Sequence, residues 1–112
     1  MWGKKTKQPQ GSPLESIPFT TVEGHQTKKP LTVFALSTCG FCRRAITFLN
    51  DSGVAYRYVY MDKLDKPSQD AVRAYVKQTF HTMLSYPFLC IGEDDYLTGF
   101  IRASWEKELG NG

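Results

Sequence analysis

The sequence predicts an α/β domain with a central four-stranded mixed sheet flanked by three helices, in the order β-α-β-α-β-β-α. Three observations carry this expectation. A near-continuous β-prone run at 31–37 leads straight into a stretch whose apolar residues recur at helical spacing. A second such pair follows at 54–61 and 67–79. Two short β-prone runs around the turn Gly92-Glu93-Asp94-Asp95 then precede a last amphipathic segment.

Each element has a local reason. Residues 31–37 (Leu, Thr, Val, Phe, Ala, Leu, Ser) read as a strand buried on both faces. Phe41, Ala45, Phe48 and Leu49 fall on one helical face, and Gly53 supplies a C-terminal stop. Residues 54–61 alternate as a second strand. In 67–79, Ala71, Val72, Tyr75 and Val76 share a face, with Asp65 or Ser68 as the cap. Residues 87–91 form a third strand, and Tyr96-Leu97 begins a fourth. Ile101, Trp105 and Leu109 repeat every four residues, and Gly110 ends that helix. The first βαβ unit must be a right-handed parallel crossover, and the last two strands a hairpin.

With 112 residues the chain has room for one domain. Its net charge of +3 is uneven. Lys4, Lys5, Lys7, Lys28 and Lys29 outnumber Glu15 and Glu23 in residues 1–30, whereas residues 31–112 balance to zero. Residues 1–30 are thus a flexible basic leader, with Leu14, Ile17, Phe19 and Val22 available to dock 14–24 on the domain as a short strand or loop. No apolar run is long enough to span a bilayer, and no apolar stretch follows the first lysines. We therefore expect a cytoplasmic protein with no membrane or nucleic-acid partner, and a monomer.

The residues Cys39-Gly40-Phe41-Cys42 sit where the first strand ends and the first helix begins. A Cys-x-x-Cys there reads as a redox dithiol. The helix N-terminus offers unpaired N–H groups and the positive end of the dipole, which stabilise a thiolate. Cys39 is thus the candidate attacking thiol, and Cys42, one turn on, the resolving thiol. Three cysteines cannot close a disulfide framework, and His25 and His81 lack zinc-finger spacing. Cys90, inside Phe88-Leu89-Cys90-Ile91, is a small buried hydrophobe or a regulatory thiol. Arg43 and Arg44 form a solvated face or attract an acidic partner.

The order of elements with its junction dithiol resembles the thioredoxin fold, and over residues 31–109 the chain resembles the glutaredoxins. The resemblance rests on Thr38-Cys39-Gly40-Phe41-Cys42, on Ser85-Tyr86-Pro87 entering the third strand, and on Leu97-Thr98-Gly99-Phe100 before the last helix. It implies a cis-proline at Pro87 facing the dithiol. It also implies substrate contacts from Thr38, Phe41, Tyr86, Pro87, Gly99 and Phe100. Glutathione-using members carry a lysine where this chain has Leu36, and carboxylates just after the glycine that matches Gly99. Here Phe100-Ile101-Arg102 follows instead, a segment closer to that of the NrdH-redoxins, which resemble glutaredoxins but draw electrons from thioredoxin reductase.

The expectation is a dithiol-disulfide oxidoreductase that reduces protein or glutathione mixed disulfides with no tightly bound cofactor. Glutathione or thioredoxin reductase resets it. The Gly-Phe pair also resembles the monothiol glutaredoxins with Cys-Gly-Phe-Ser. The alternative is therefore a [2Fe–2S] carrier, in which two chains each give Cys39 and glutathione completes the thiolate set. A third reading is a redox-sensing module whose basic leader meets a partner.

Overall fold

Hydrophobic alternation decides how the chain layers. In a computed structural model, which describes residue 14 and residues 16–111, five strands and three helices follow one another. They are β1 (Thr20–Val22), β2 (Leu31–Ala35), α1 (Gly40–Ser52), β3 (Tyr56–Tyr60), α2 (Lys66–Phe80), β4 (Phe88–Ile91), β5 (Asp95–Thr98) and α3 (Arg102–Asn111). A single 3-10 turn, Met61–Lys63, links β3 to α2. The strands lie in the order β1-β3-β2-β4-β5. β2 and β3 are parallel, while β2 with β4, β4 with β5, and β1 with β3 are antiparallel.

All five residues of β2 are buried because each face of the central strand is covered. Leu31, Val33 and Ala35 point to one side, where they meet Ala45, Phe48 and Leu49 of α1 and Trp105 of α3. Phe34 points to the other, with Val72, Tyr75 and Val76 of α2 and with Phe88 and Cys90 of β4. Thus α1 and α3 cover one face and α2 the other, as the alternating pleat requires. The mixed α/β architecture and its element order are those expected.

The sheet has five strands rather than four. Thr20–Val22 pairs with β3, Thr20 against Tyr58 and Val22 against Tyr56. The fifth strand is hard to read because only three residues pair and its two threonines are exposed. Past it, His25 donates its N–H to the Gly53 carbonyl and accepts the N–H of Ala55. Gly24 makes this approach possible, since a Cβ there would lie 2.6 Å from the Gly53 carbonyl oxygen. Leu14 and Ile17 are buried against the α2 face. The flexible stretch expected at 1–13 lies outside the described residues.

Helix ends follow local chemistry. Gly53 closes α1 at φ 72°, a left-handed conformation that glycine adopts without Cβ strain. Asp65 caps α2 by accepting the N–H of Ser68 at 2.9 Å. α3 runs one residue past the expected stop at Gly110, within the ordinary fraying of a helix end. Among the described residues no helix is long and apolar enough to cross a membrane.

The core holds ionisable groups in their neutral forms. Burial pushes the Cys90 thiol up to about 12, and it pushes the Tyr56 and Tyr75 phenols up to about 12 as well. In the unfolded chain a thiol ionises near pH ~8.5 and a phenol near ~10. The folded state then holds protons that the unfolded state gives up, so stability falls as pH rises across that interval. The contribution is complete below about pH 8.5 and is lost progressively toward about pH 12. Chemical denaturation at a series of pH values from neutral upward should show this decline. Cys90→Ala should be less stable at neutral pH but lose stability less steeply in the first alkaline interval.

Candidate dithiol site

The parallel pairing of β2 and β3 sets the loop that presents the cysteines. The register ends at Ala35 against Tyr60. Two residues further on, Ser37 meets Asp62, which accepts its N–H at 2.9 Å and also its hydroxyl. These bonds hold the Asp62 carboxyl below its ordinary range, with the Ser37 hydroxyl the larger cause. The loop then turns back on itself, with Cys39 N–H donating to the Leu36 carbonyl at 3.2 Å.

Cys39 is itself the N-cap of α1. Its backbone is extended, and its Sγ accepts the N–H of Cys42 at 3.2 Å. Thr38, exposed, is the residue before the cap. Cys39 is partly exposed and Cys42 fully buried, and both are free thiols. Burial pushes the Cys42 thiol up to about 12, with its hydrogen bond to Cys39 adding to the effect. Cys42 is therefore a neutral thiol at physiological pH. α1 carries no acidic residue in its first turn, so nothing there opposes negative charge on Cys39.

The third strand brings the proline to the same place. β4 pairs with β2 so that Phe88 faces Phe34, which puts Pro87 beside the C-terminal end of β2. The Tyr86–Pro87 peptide is cis, and Pro87 is buried. Its carbonyl accepts the N–H of Gly99 at 2.9 Å. Gly99 has φ 68°, and a Cβ there would touch nothing, so the conformation rather than crowding requires glycine. The Gly99 carbonyl in turn accepts the indole N–H of Trp105 at 3.0 Å.

Cys39, Tyr86 and Phe100 all pack against the cluster that contains Cys42. Burial pushes the Tyr86 phenol upward; Arg73 opposes this and Cys42 adds to it. The Phe100 ring lies between Phe48, at 5.6 Å, and Trp105, at 5.2 Å. Phe41 is 57% exposed beside the cysteines, with the Arg44 guanidinium 5.4 Å from its ring. Cys90 is buried on the α2 face, away from the cluster of Cys42. His25 and His81 are exposed, and among the described residues no group of three or more His, Cys, Asp or Glu is placed to hold a metal ion.

Two contributors had escaped the sequence. Asp62 shows its part only once the parallel register is known, since nothing local links it to Ser37. Trp105 reads as core from its spacing, and its indole N–H bond to Gly99 adds a polar contact that spacing does not show.

A family model described as glutaredoxin matches residues 31–94. The fold is similar to the crystal structure of the glutaredoxin from Methanosarcina mazei Go1, at 26% identity over 82% of this chain and 87% of that one, with a TM-score of 0.72. It is similar to the glutaredoxin from Archaeoglobus fulgidus at 26% identity, covering 76% and 89%, with a TM-score of 0.64. Methanosarcina acetivorans methanoredoxin, 24% identical over 78% and 90% with a TM-score of 0.70, shares the fold. No curated protein sequence matches the chain.

The unequal setting of the two thiols has a direct readout. Iodoacetamide at neutral pH should label Cys39 first, because Cys42 is buried and holds its proton up to about 12. Mass spectrometry of partially labelled native protein checks the order. Faster labelling of Cys42 or Cys90 would contradict it.

Proposed function

The chain belongs to the glutaredoxin family and is a thiol-disulfide oxidoreductase, and from that premise we propose that it reduces disulfides of proteins, or of proteins joined to glutathione, through Cys39 and Cys42. The observation that carries this reading is the pairing of a partly exposed cap sulfur with a buried protonated one a helical turn away.

The Cys39 thiolate attacks one sulfur of the substrate disulfide. That S–S bond breaks, a mixed disulfide forms, and the first substrate sulfur leaves as a thiolate that takes a proton from water. Cys42 then attacks Cys39 Sγ and gives its proton to the departing second substrate sulfur. The substrate leaves as two thiols, and two electrons have moved from the chain, now closed as a Cys39–Cys42 disulfide. An external dithiol or thiol must reopen it, either glutathione or thioredoxin reductase. Such a cycle belongs in a reducing compartment, and we place it in the cytoplasm.

The rest of the site supports substrate binding. Pro87 and Tyr86 lie at the sheet end beside the dithiol, where the extended backbone of a substrate can be received as an added strand. Gly99 is bonded to Pro87 and continues this surface into Phe100, with Trp105 packed against both. Thr38 and Phe41 flank the sulfur on the exposed side. An iron–sulfur cluster would use Cys39 alone from each chain. The position of Cys42 one turn away favours exchange over that use, and a brown colour after anaerobic purification would count against our reading.

The division of labour predicts unlike variants. Cys42→Ser should still attack but stall as a mixed disulfide. Cys39→Ser should lose activity on a protein disulfide by about a thousandfold or more, because the nucleophile is gone. Mass spectrometry of trapped intermediates and an insulin-reduction assay check the pair, and near-normal turnover by Cys39→Ser would refute the mechanism.

Leu36 supplies no cation, and the first turn of α3 has no acidic residue. Each missing charge-assisted contact to glutathione should cost on the order of 1.5–3 kcal/mol, roughly ten- to a hundredfold in affinity. Glutathione should thus be a poor reductant beside thioredoxin reductase. Coupled NADPH assays with each donor decide this, and brisk turnover saturating at low millimolar glutathione would overturn it.

A further inference from the structure

We propose that a basic hollow next to the dithiol receives acidic residues flanking the target disulfide of a protein substrate. This rests on the reading of Cys39 as the attacking thiol.

Arg43 and Arg44 follow Cys42 directly on α1, and Arg102 opens α3. The three line one hollow of about 310 Å³, together with Phe48, Phe100 and Asp51. Arg43 is next to Cys42 in the chain, and Phe100 packs against the same core cluster as Cys39, so the hollow continues from the start of α1. Arg43 and Arg44 are exposed, and among the described residues neither has a carboxylate within ion-pair distance.

The two acids near the hollow reduce its charge but leave Arg43 and Arg44 without an ion-pair partner. Glu106 pairs with Arg102 at 2.9 Å. Asp51 lies seven residues beyond Arg44 on the same helix, about 10 Å along its axis, and screening at physiological salt acts over about 8 Å. Two of the cations are also held in place. The Arg44 guanidinium lies 5.4 Å from the Phe41 ring and that of Arg102 lies 5.1 Å from the Phe48 ring. Neither α1 nor α3 has an acid in its first turn, so both helix dipoles add positive potential. A planar guanidinium fixed over a ring is suited to a carboxylate, which it can hold with two parallel hydrogen bonds. The basic stretch of this chain, with Lys4, Lys5 and Lys7, has the wrong sign to fill the hollow. A substrate protein with Asp or Glu near its disulfide has the right one.

Three peptides with the same internal disulfide, flanked by Glu, Gln or Lys, test this in single turnover with the reduced full chain. At low ionic strength, about 20 mM, the Glu peptide should react at least about fivefold faster than the Lys peptide. At high salt, about 0.5 M, the ratio should fall below about twofold. The Arg43→Glu/Arg44→Glu variant should invert the order. Taking the ratio within each variant cancels any loss of folded protein. Equal rates for Glu and Lys in the wild-type chain, or an unchanged ratio in the variant, would overturn the proposal. If not even the Gln peptide is reduced, the exchange reading itself fails.

Discussion

The contact between Cys39 Sγ and the Cys42 N–H binds structure to chemistry in a single atom. A helix start needs an acceptor for its first free N–H groups, and the residue in that place is usually Ser, Thr, Asp or Asn. Here a sulfur does it. The same lone pairs that accept the hydrogen bond are those that attack a disulfide. The helix is therefore begun by its own reactive group, and the second thiol is carried one turn inward by the helix it helps to start. Burial of Cys42 follows, and with it the protonated state that keeps the two sulfurs unlike. Serine at position 39 would keep an acceptor there, so it tests the chemistry with little cost to the cap.

A second link joins three distant parts of the chain. Gly99 donates to the Pro87 carbonyl and accepts from the indole of Trp105. Thus the start of β4, the end of β5 and the buried face of α3 meet at one residue. Any L side chain there would have to adopt a left-handed conformation at a cost of roughly 1–2 kcal/mol. Trp105 is 1% exposed and packs edge-on to both Phe48 and Phe100. The wall beside the dithiol is therefore anchored in the core, although Phe100 itself is only partly buried.

Much of this was legible because local and global signals coincide. The buried run of β2, the amphipathic faces of α1 and α2 and the hairpin after Pro87 each satisfy their own periodicity. The cysteines stand at a strand-to-helix junction that two adjacent patterns define. What stayed hidden depends on register or on backbone geometry. Asp62 reaches Ser37 only because β2 and β3 are parallel and in step. β1 is three residues long with an exposed pair of threonines, too short for alternation to separate a strand from a loop within 14–24. That Cys39 caps α1 turns on its extended backbone angles, which residue types alone do not settle.

β1 also changes how the molecule meets its neighbours in solution. It covers the outer ladder of β3, whose residues Tyr56, Tyr58 and Tyr60 form a row of rings along one face. An open ladder of this kind is a template for strands from other molecules, and proteins commonly blunt it with a short, polar, twisted neighbour. Thr20 and Thr21 are that neighbour here. A chain lacking only the pairing of Thr20–Val22 would keep its dithiol and its core, yet present bare strand groups to every copy around it. Its weakness would then be colloidal, visible as light scattering that grows with concentration, while the isolated molecule remained folded.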